Sequence, residues 1–357
     1  SKGYRMSNEL PVLAEVRRGE IVESRHRGAI VLADPEGKVL LQIGDARLLT
    51  STRSTIKPIQ ALPIITSGAA EHFNLTNREL AAAAASHEGE AIHTETAAAM
   101  LARVGLDETA LRCGAHAPYS VDTARQLERD GLPFNQLHNN CSGKHAGMLV
   151  TAVHRGLSIE DYFSPDHEIQ REIIRTFARL GDLPEDMPTA IDGCSAPTFG
   201  VPLVSLAVAF ARLVNATSRD EAAITLDADL AHAAKRVVEA MIEYPEMIGG
   251  TKERFDTELL RAARGKLICK VGAEAVYSVG VLPCESYPRG LGLAFKMEDG
   301  SYRGLAPTVV ETLAGLGILD EMEVTELASY HRPVIDNRRG LRVGEVRTIF
   351  DIGFDKQ

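Results

Sequence analysis

The sequence lacks a long hydrophobic run, an excess of positive charge and a rich set of cysteines, and each absence argues against a class of protein. No stretch approaches the roughly 18 consecutive apolar residues that a membrane-spanning helix requires. Asp and Glu outnumber Lys and Arg by 49 to 39, and a net charge of −10 disfavours nucleic acid or an anionic membrane as the main partner. The first thirty residues carry four glutamates, Glu9, Glu15, Glu20 and Glu23, where a signal peptide would have an apolar centre. We therefore expect a cytoplasmic protein that binds neither nucleic acid nor a membrane.

The five cysteines are an odd number in a chain of 357 residues, which argues against a disulfide framework. The default role of any one of them is that of a small buried hydrophobe. Cys141 and Cys194 differ from the others because each lies among glycine, polar and ionisable residues. These two thiols are therefore the ones expected to have a function.

Runs of β-forming residues near both ends of the chain enclose a helical middle, which predicts an α/β fold. The early runs are 20–26, 29–33 and 39–43, and Asp34-Pro35-Glu36-Gly37 is a hairpin signal between the last two. A capping box at Thr76-Asn77-Arg78-Glu79 opens the helical part. Its helices are predicted over 80–85, 95–104, 143–153, 167–180, 203–214 and 220–242. Strand character returns at 266–271, 275–281 and 290–296, before a helix over 307–313. We predict a sheet-containing α/β region from residues 7–75 and 264–355, and a mainly helical region over 76–263.

Ser54 and Lys57 are spaced to act as a nucleophile and its base. Three residues is nearly one helical turn, so a helix beginning near Ser54 places both side chains on one face. A neutral amine can accept the serine proton, and a second cation such as Lys270 favours the neutral form by like-charge repulsion. Together with Lys270-Val271-Gly272, the pair is similar to the Ser-Lys elements of β-lactamases and penicillin-binding proteins. The alternative is an ordinary helix start, with Ser54 as N-cap and Lys57 in solvent.

Blocks along nearly the whole chain, from about Pro11 to Ile352, resemble the rhizobial-type L-asparaginases, the asparaginase II family. In order, the blocks are Arg53-Ser54-Thr55-Ile56-Lys57, Ser86-His87-Glu88-Gly89-Glu90, His138-Asn139-Asn140-Cys141-Ser142-Gly143-Lys144-His145, Asp192-Gly193-Cys194-Ser195-Ala196-Pro197, and Gly249-Gly250-Thr251 with Arg254-Phe255-Asp256. The resemblance implies the fold of serine β-lactamases and glutaminases, in which an antiparallel sheet flanked by helices joins a mainly helical lobe. It also implies a homodimer that hydrolyses the side-chain amide of L-asparagine to L-aspartate and ammonia.

By the same resemblance, Ser86 belongs to a second Ser-Lys pair whose amine comes from Lys270. Two pairs in one cleft supply a nucleophile, a base and a proton relay to the leaving ammonia. We predict Ser54 as the nucleophile because the helix itself holds Lys57 close to it. Which lysine deprotonates which serine stays open, and so does the simpler interpretation of Ser86-His87-Glu88-Gly89 as a helix end.

An acyl-enzyme mechanism also requires donors for the oxyanion and groups that bind the ends of the amino acid. By analogy with related folds, we predict the backbone N–H groups of Ser54 and Ala273 as the oxyanion donors. The candidates for the substrate's α-carboxylate are Arg53 and Arg254, and those for its α-amine are Glu88, Asp192 and Asp256. Ordinary surface ion pairing is the alternative for each of these charged residues.

The pattern of Cys141, His145 and Cys194 alone suggests zinc, since Cys and His four apart on a helix suit that metal. The resemblance instead implies Cys141, Lys144 and Cys194 with a water, so the metal must displace the proton of the lysine. Asp192 and His145 then orient the ligands. We expect zinc as a cofactor that does not activate the nucleophile. Buried thiols beside a surface lysine are the alternative.

Three other functions stay open at this point. A glutaminase differs by one methylene in its substrate, and a pocket discriminates a methylene by only about 1–3 kcal/mol. A β-lactamase-like serine acyl hydrolase shares the Ser-Lys chemistry, but the sequence lacks its Ser-Asp-Asn element. A metal-binding regulator would use the Cys-Lys-Cys site and would have no need of Ser54 and Lys57.

Overall fold

The computed structural model describes residues 9–352, so the predicted region borders at 7 and 355 lie outside the described residues. The strands in this range are β1 Val12–Arg18, β2 Ile21–Ala33, β3 Val39–Ile43, β4 Leu49–Ser51, β5 Thr189–Ile191, β6 Pro197–Pro202, β7 Leu267–Gly272, β8 Val276–Val281, β9 Leu291–Met297, β10 Val334–Asp336 and β11 Arg342–Thr348. The helices are α1 Lys57–Gln60, α2 Leu62–Thr66, α3 Ala69–His72, α4 Asn77–Ala83, α5 Ala91–Arg103, α6 Val121–Asp130, α7 Ser142–Arg155, α8 Glu168–Gly181, α9 Leu203–Asn215, α10 Ala228–Glu243, α11 Pro245–Ile248, α12 Phe255–Ala262, α13 Tyr302–Gly315, α14 Glu321–Glu326 and α15 Ala328–His331. Short 3₁₀ helices cover Arg53–Ile56, Glu108–Ala110, Gln136–His138 and Glu221–Ala223.

Strands from both ends of the chain form one antiparallel sheet. Its order is β10-β11-β1-β2-β9-β8-β7, and β3 pairs with β2. The central pairing joins β2 to β9, with Ile30 opposite Phe295. A second, small sheet has the order β4-β6-β5. The large sheet therefore brings residues before 44 against residues after 266.

Helices cover both faces of the large sheet. On one face α9 lies so close to β9 that a Cβ at Gly292 would lie 1.7 Å from the carbonyl oxygen of Ala207. On the other face Gly304 of α13 lies against His26 and Met297. Met297 is five residues from Gly292 on β9, and side chains alternate along a strand, so these contacts lie on opposite faces. The predicted α/β fold, with an antiparallel sheet flanked by helices, is confirmed.

The helical middle of the chain is built around a close contact between α4 and α7. A Cβ at Gly143 would lie 2.2 Å from the carbonyl oxygen of Ala82, so only glycine permits this approach. The contact brings the N-terminus of α7 next to the segment that follows α4. The predicted capping box at Thr76 and Glu79 is present and starts α4. Each helix in residues 9–352 falls short of the length and apolarity that a membrane crossing requires.

The elements differ from the prediction mainly in their bounds. The two early runs 20–26 and 29–33 form one strand, β2, because Gly28 continues it where a Cβ would lie 2.4 Å from the backbone oxygen of Lys296. The predicted segment 220–242 divides into a 3₁₀ turn and α10, since Asp227 caps a new helix through the N–H of Leu230. The C-terminal helix begins at Tyr302, capped by Ser301, and includes Pro307.

Candidate active site

Ser54 lies in a tight 3₁₀ turn, Arg53–Ile56, that leads directly into α1. Arg53 has a φ of +45°, a left-handed backbone conformation that is strained for any residue other than glycine. Its N–H donates a hydrogen bond to Thr198 Oγ1 at 3.0 Å. Residues three apart eclipse each other in a 3₁₀ turn, so Ser54 and Lys57 project from the same side of this segment. The side chain of Ser54 is half-buried and lines the cavity described below.

The amine of Lys57 is buried and points to Ser86. Lys57 is 1 % exposed, and its Nζ donates to Ser86 Oγ at 2.9 Å, to Ala85 O at 2.7 Å and to Asn140 O at 3.4 Å. No hydrogen bond links Lys57 to Ser54 in the described range of the chain. Burial lowers the pKa of Lys57, which favours the neutral amine that a base requires.

The amine of Lys270 reaches the same serine from the opposite side. Lys270 lies on the edge strand β7 and is fully buried, and its Nζ donates to Ser86 Oγ at 2.8 Å and to Val271 O at 2.8 Å. Asp256 Oδ2 is 4.0 Å from the same nitrogen. Burial lowers the pKa of Lys270 to about 7, against the opposing attraction of Asp256.

Ser86 is thus the point at which two buried amines converge. It follows the end of α4, is 5 % exposed, and its N–H donates to Ile248 O at 3.0 Å. A hydroxyl can accept hydrogen bonds while donating its own proton. Ser86 Oγ can therefore accept from an ammonium on one side and donate to a neutral amine on the other, which is what a proton relay needs.

A cavity of about 660 Å³ opens above the two serines. Its lining includes both serines and seven other residues predicted from the sequence: Arg53, Arg254, Asp192, Asp256, Ala273, Cys141 and Cys194. The lining does not include Lys57, Lys270, Glu88, Lys144 or His145. The predicted catalytic lysines, Lys57 and Lys270, are therefore buried behind the residues that line the cavity. The predicted residues are therefore brought together, in one layer that faces the cavity and a second layer that supports it.

Two ion pairs border the cavity. Arg53 donates to both carboxylate oxygens of Asp192, at 3.1 and 3.0 Å. Arg254 pairs with Glu88 and also donates to the carbonyl oxygen of Ser86 at 3.2 Å. Each pair is partly buried and offers one positive and one negative group, the complement of an α-amino acid in its zwitterionic form.

The turn after β7 presents the backbone of Gly272 and Ala273 to the cavity. Glu274 and Ala275 both have positive φ, +61° and +52°, so the chain reverses sharply here. Tyr302 Oη donates to Gly272 O at 2.9 Å and ties this turn to α13. The N–H of Ser54 lies in the first turn of its helix, where N–H groups have no intrahelical acceptor.

The two predicted ligand cysteines and Lys144 form a buried cluster beside the lysine pair. Lys144 Nζ donates to Cys194 Sγ at 3.0 Å. A hydrogen bond from the Cys141 thiol lowers the pKa of Cys194 and raises that of Cys141 itself. Burial alone would lower the pKa of Lys144, but the charges of the two sulfurs raise it. All five cysteines are free, as expected.

The cluster has the donor set of a metal site that includes a lysine. In residues 9–352 no three or more His, Cys, Asp and Glu side chains converge as a metal site. Two thiols and an amine do converge, and the buried Nε2 of His145 has no hydrogen-bond partner in the described chain, while its Nδ1 is 2.7 Å from Tyr162 Oη. Sulfur and nitrogen donors suit zinc, so these residues fit such an ion.

Sequence reasoning missed several residues around the site. Tyr119, Phe255, Tyr302 and Tyr330 give the cavity aromatic walls, and only Phe255 lay within a recognised block. His87 is buried and stacks on His93 with ring centroids 4.8 Å apart, which fixes the chain just after Ser86. His87 lay within a recognised block directly after Ser86, and His93 is three residues after Glu90, the N-cap of α5; these positions were the available signal.

The solved structures to which this chain is similar include two distant glutaminases. A probable glutaminase from Bacillus subtilis complexed with 6-diazo-5-oxo-L-norleucine is 12% identical, with 82% of this chain and 85% of that chain covered and a TM-score of 0.39. The covalent complex of a Bacillus subtilis glutaminase with 5-oxo-L-norleucine is also 12% identical, with 82% and 89% covered and a TM-score of 0.39. At TM-scores below 0.5, residue roles do not transfer between such structures.

Comparison with curated proteins finds no match. A family profile gives the decisive result, since L-asparaginase II matches residues 14–348. The match includes all five blocks from which the family was predicted, and it confirms that prediction. The chain belongs to the L-asparaginase II family.

Proposed function

We propose that this amidohydrolase cleaves the side-chain amide of L-asparagine to L-aspartate and ammonia through an acyl-enzyme on Ser54. The observation that carries the proposal is the convergence of the Lys57 and Lys270 amines on Ser86 Oγ, at 2.9 and 2.8 Å, beneath a cavity that Ser54 lines. Ser54 is the nucleophile because it is the more open of the two serines, whereas Ser86 lies between the amines.

In the first step Ser54 Oγ forms a bond to the amide carbon of the substrate, and its proton passes to the neutral amine of Lys57. The carbon–nitrogen bond then breaks. The leaving nitrogen takes the Ser86 proton, and Lys57 returns its acquired proton to Ser86, so that ammonia leaves as a neutral molecule. Lys270, as an ammonium, donates to Ser86 Oγ throughout. Water then cleaves the ester by the reverse transfers and releases aspartate.

Binding of the amino acid is assigned to the groups that border the cavity. The N–H groups of Ser54 and Ala273 are the proposed oxyanion donors, which act on charge that develops in the transition state. The pairs Arg53–Asp192 and Arg254–Glu88 supply the groups for the α-carboxylate and α-amine. Both pairs are partly buried, where a charge-assisted hydrogen bond is stronger than at the open surface.

We also propose zinc as a bound ion, held by Cys141, Lys144 and Cys194 and supported by His145. When bound, the ion supplies fixed positive charge beside the cavity and keeps the two sulfurs as thiolates. Ser54 and the lysines already account for the nucleophile, base and relay, so the ion is assigned a tuning role.

The proposal is tested by ammonia release from L-asparagine, L-glutamine and D-asparagine, with a chromogenic β-lactam as a fourth substrate. The expected result is turnover of L-asparagine with a higher kcat/KM than L-glutamine. Turnover of glutamine above asparagine would instead make the protein a glutaminase. Turnover of the β-lactam alone, or of none of the four by the folded protein, would overturn the assignment.

A further inference from the structure

Asp256 lies in the first turn of α12, and its almost fully buried carboxylate forms part of the cavity wall. Its Oδ2 accepts a hydrogen bond from the N–H of Val271 at 3.2 Å and lies 4.0 Å from Lys270 Nζ. We propose that Asp256 is a positioning residue that keeps the Lys270 amine charged and directed at Ser86 Oγ. This inference depends on the proposed function, because it assigns Lys270 its role within the Ser86 relay.

Lys270 makes two hydrogen bonds, and Asp256 is the carboxylate that forms an ion pair with it. An ammonium has three donors. Two of them go to Ser86 Oγ and Val271 O at 2.8 Å each, and Asp256 Oδ2 lies 4.0 Å from the same nitrogen, too far for a hydrogen bond but within the range of an ion pair. The side chains of Lys270 and Asp256 are 0 % and 1 % exposed, so water does not screen the attraction between them.

The other charges around Lys270 oppose its protonation. Burial lowers the pKa of Lys270 most, and it is lowered further by Lys57 on α1 whenever that amine is protonated and by the guanidinium of Arg254 before α12. Asp256 raises this pKa more than any other neighbour, and Cys141 raises it less. The carboxylate is therefore the main group that offsets the burial of the ammonium.

Asp256 is also suited to hold a fixed direction. Its carboxylate is anchored at the free edge of β7 by the Val271 N–H, next in sequence to Lys270. In residues 9–352 Oδ1 has no hydrogen-bond partner of normal geometry, and the buried Tyr277 on β8, whose pKa is raised first by burial and then by the charge of Asp256, is a further titratable group beside it. An Asn at this position would keep the acceptor for Val271 and lose only the charge.

The test compares Asp256→Asn with Glu258→Gln, which removes the same charge from a more exposed position on the same helix. For each variant, kcat and KM for L-asparagine are measured from pH 5 to 10, with unfolding transitions as a check of the fold.

In Asp256→Asn the alkaline limb of kcat is expected to move to lower pH by about one unit or more, because an opposite charge at this distance shifts a pKa by that amount. Above that limb kcat then falls about tenfold, since one pKa unit is a tenfold change in the protonated fraction. KM should change less than about threefold, as Asp256 is given no contact with substrate. Glu258→Gln should keep the wild-type profile.

A profile for Asp256→Asn that matches the wild type after scaling by one factor would overturn the proposal and leave a purely structural role. A shift of the acidic limb alone would also overturn it, because Lys270 would then act as a free base. If Asp256→Asn does not fold, Asp256→Ser is measured against the same two outcomes. The variant Lys270→Ala distinguishes failure of the proposed Ser86 relay from failure of the role proposed for Asp256. Full activity in Lys270→Ala refutes the proposed relay, whereas loss of activity there with no pH shift in Asp256→Asn refutes the role of Asp256 alone.

Discussion

Replacing Gly143 by Ala perturbs the contact between α4 and α7 that brings the thiol cluster next to Ser86. The new Cβ would lie 2.2 Å from the backbone oxygen of Ala82, and ordinary contact begins at 3.4 Å, so the helices must separate by about 1 Å. Overpacking of this kind costs about 1–3 kcal/mol, and Ala regains about 1 kcal/mol through its higher helix propensity. Displacement of a catalytic group by 1 Å can lower a rate by about a hundredfold. We therefore expect a folded protein, at most about 2 kcal/mol less stable, whose kcat/KM is about a hundredfold lower.

Gly147→Ala is the matched control, one turn further along α7. Its Cβ would lie 2.5 Å from Ile64 Cδ1, the end of a flexible side chain that can move, and it gains the same helix propensity. Chemical unfolding measures the stability of both variants, and ammonia release from L-asparagine measures kcat/KM. The reasoning is refuted if Gly143→Ala is as active as Gly147→Ala, since the α4–α7 distance would then not control the site.

The remaining predictions concern the chemistry directly. Ser54→Ala should lower kcat by about 10⁴-fold or more without loss of stability, since it removes one hydroxyl from a helix start; wild-type turnover in Ser54→Ala but not in Ser86→Ala would exchange the two roles. Activity should rise with pH from about 5 up to the alkaline limb assigned to Lys270, because Lys57 acts as a base only when neutral and burial lowers its pKa; a maximum near pH 5 would indicate a carboxylate base. Removal of metal by a chelator, or Cys141→Ala or Cys194→Ala, should raise KM while a slow asparagine analogue still forms an adduct on Ser54 that peptide mass locates. Folded, metal-free protein that forms no adduct at any concentration of the analogue would place the metal in the reaction.

Part of the order of strands and helices could be predicted because the local signals agree with the fold, whereas β1, β4, β5, β6 and β10 had no counterpart in the prediction. The capping box at Thr76 and the hairpin at 34–37 both form where the sequence places them. The terminal strand β11 was missed, since its residues Arg342–Thr348 alternate weakly and only Val346 is buried. Its position depends on pairing with β1, more than 320 residues earlier, and no local pattern reports such a partner.

The residues of the candidate site could be predicted from the sequence, but the contacts between them could not. Ser54 and Lys57 were paired on the basis of helical spacing, and the hydrogen bonds of the Lys57 amine instead go to Ser86 Oγ and to the carbonyl oxygens of Ala85 and Asn140. Asp256 was predicted among the substrate-binding acids; it lines the cavity, but its buried carboxylate also lies against Lys270 and Val271, a contact that the sequence did not predict. Burial decides such roles, and burial is a property of the assembled chain.

The pairing of β1 with β11 and of β2 with β9 has a consequence for the order in which the protein folds. During synthesis the first strands leave the ribosome long before their partners exist, so the large sheet forms only when nearly the whole chain has been made. The helices between them need only local contacts and can form earlier. Lys57 is synthesised soon after the first strands, and Lys270 is synthesised with the strands that complete the sheet. Catalytic activity should therefore appear in the last step of folding and can serve as a probe of chain completion.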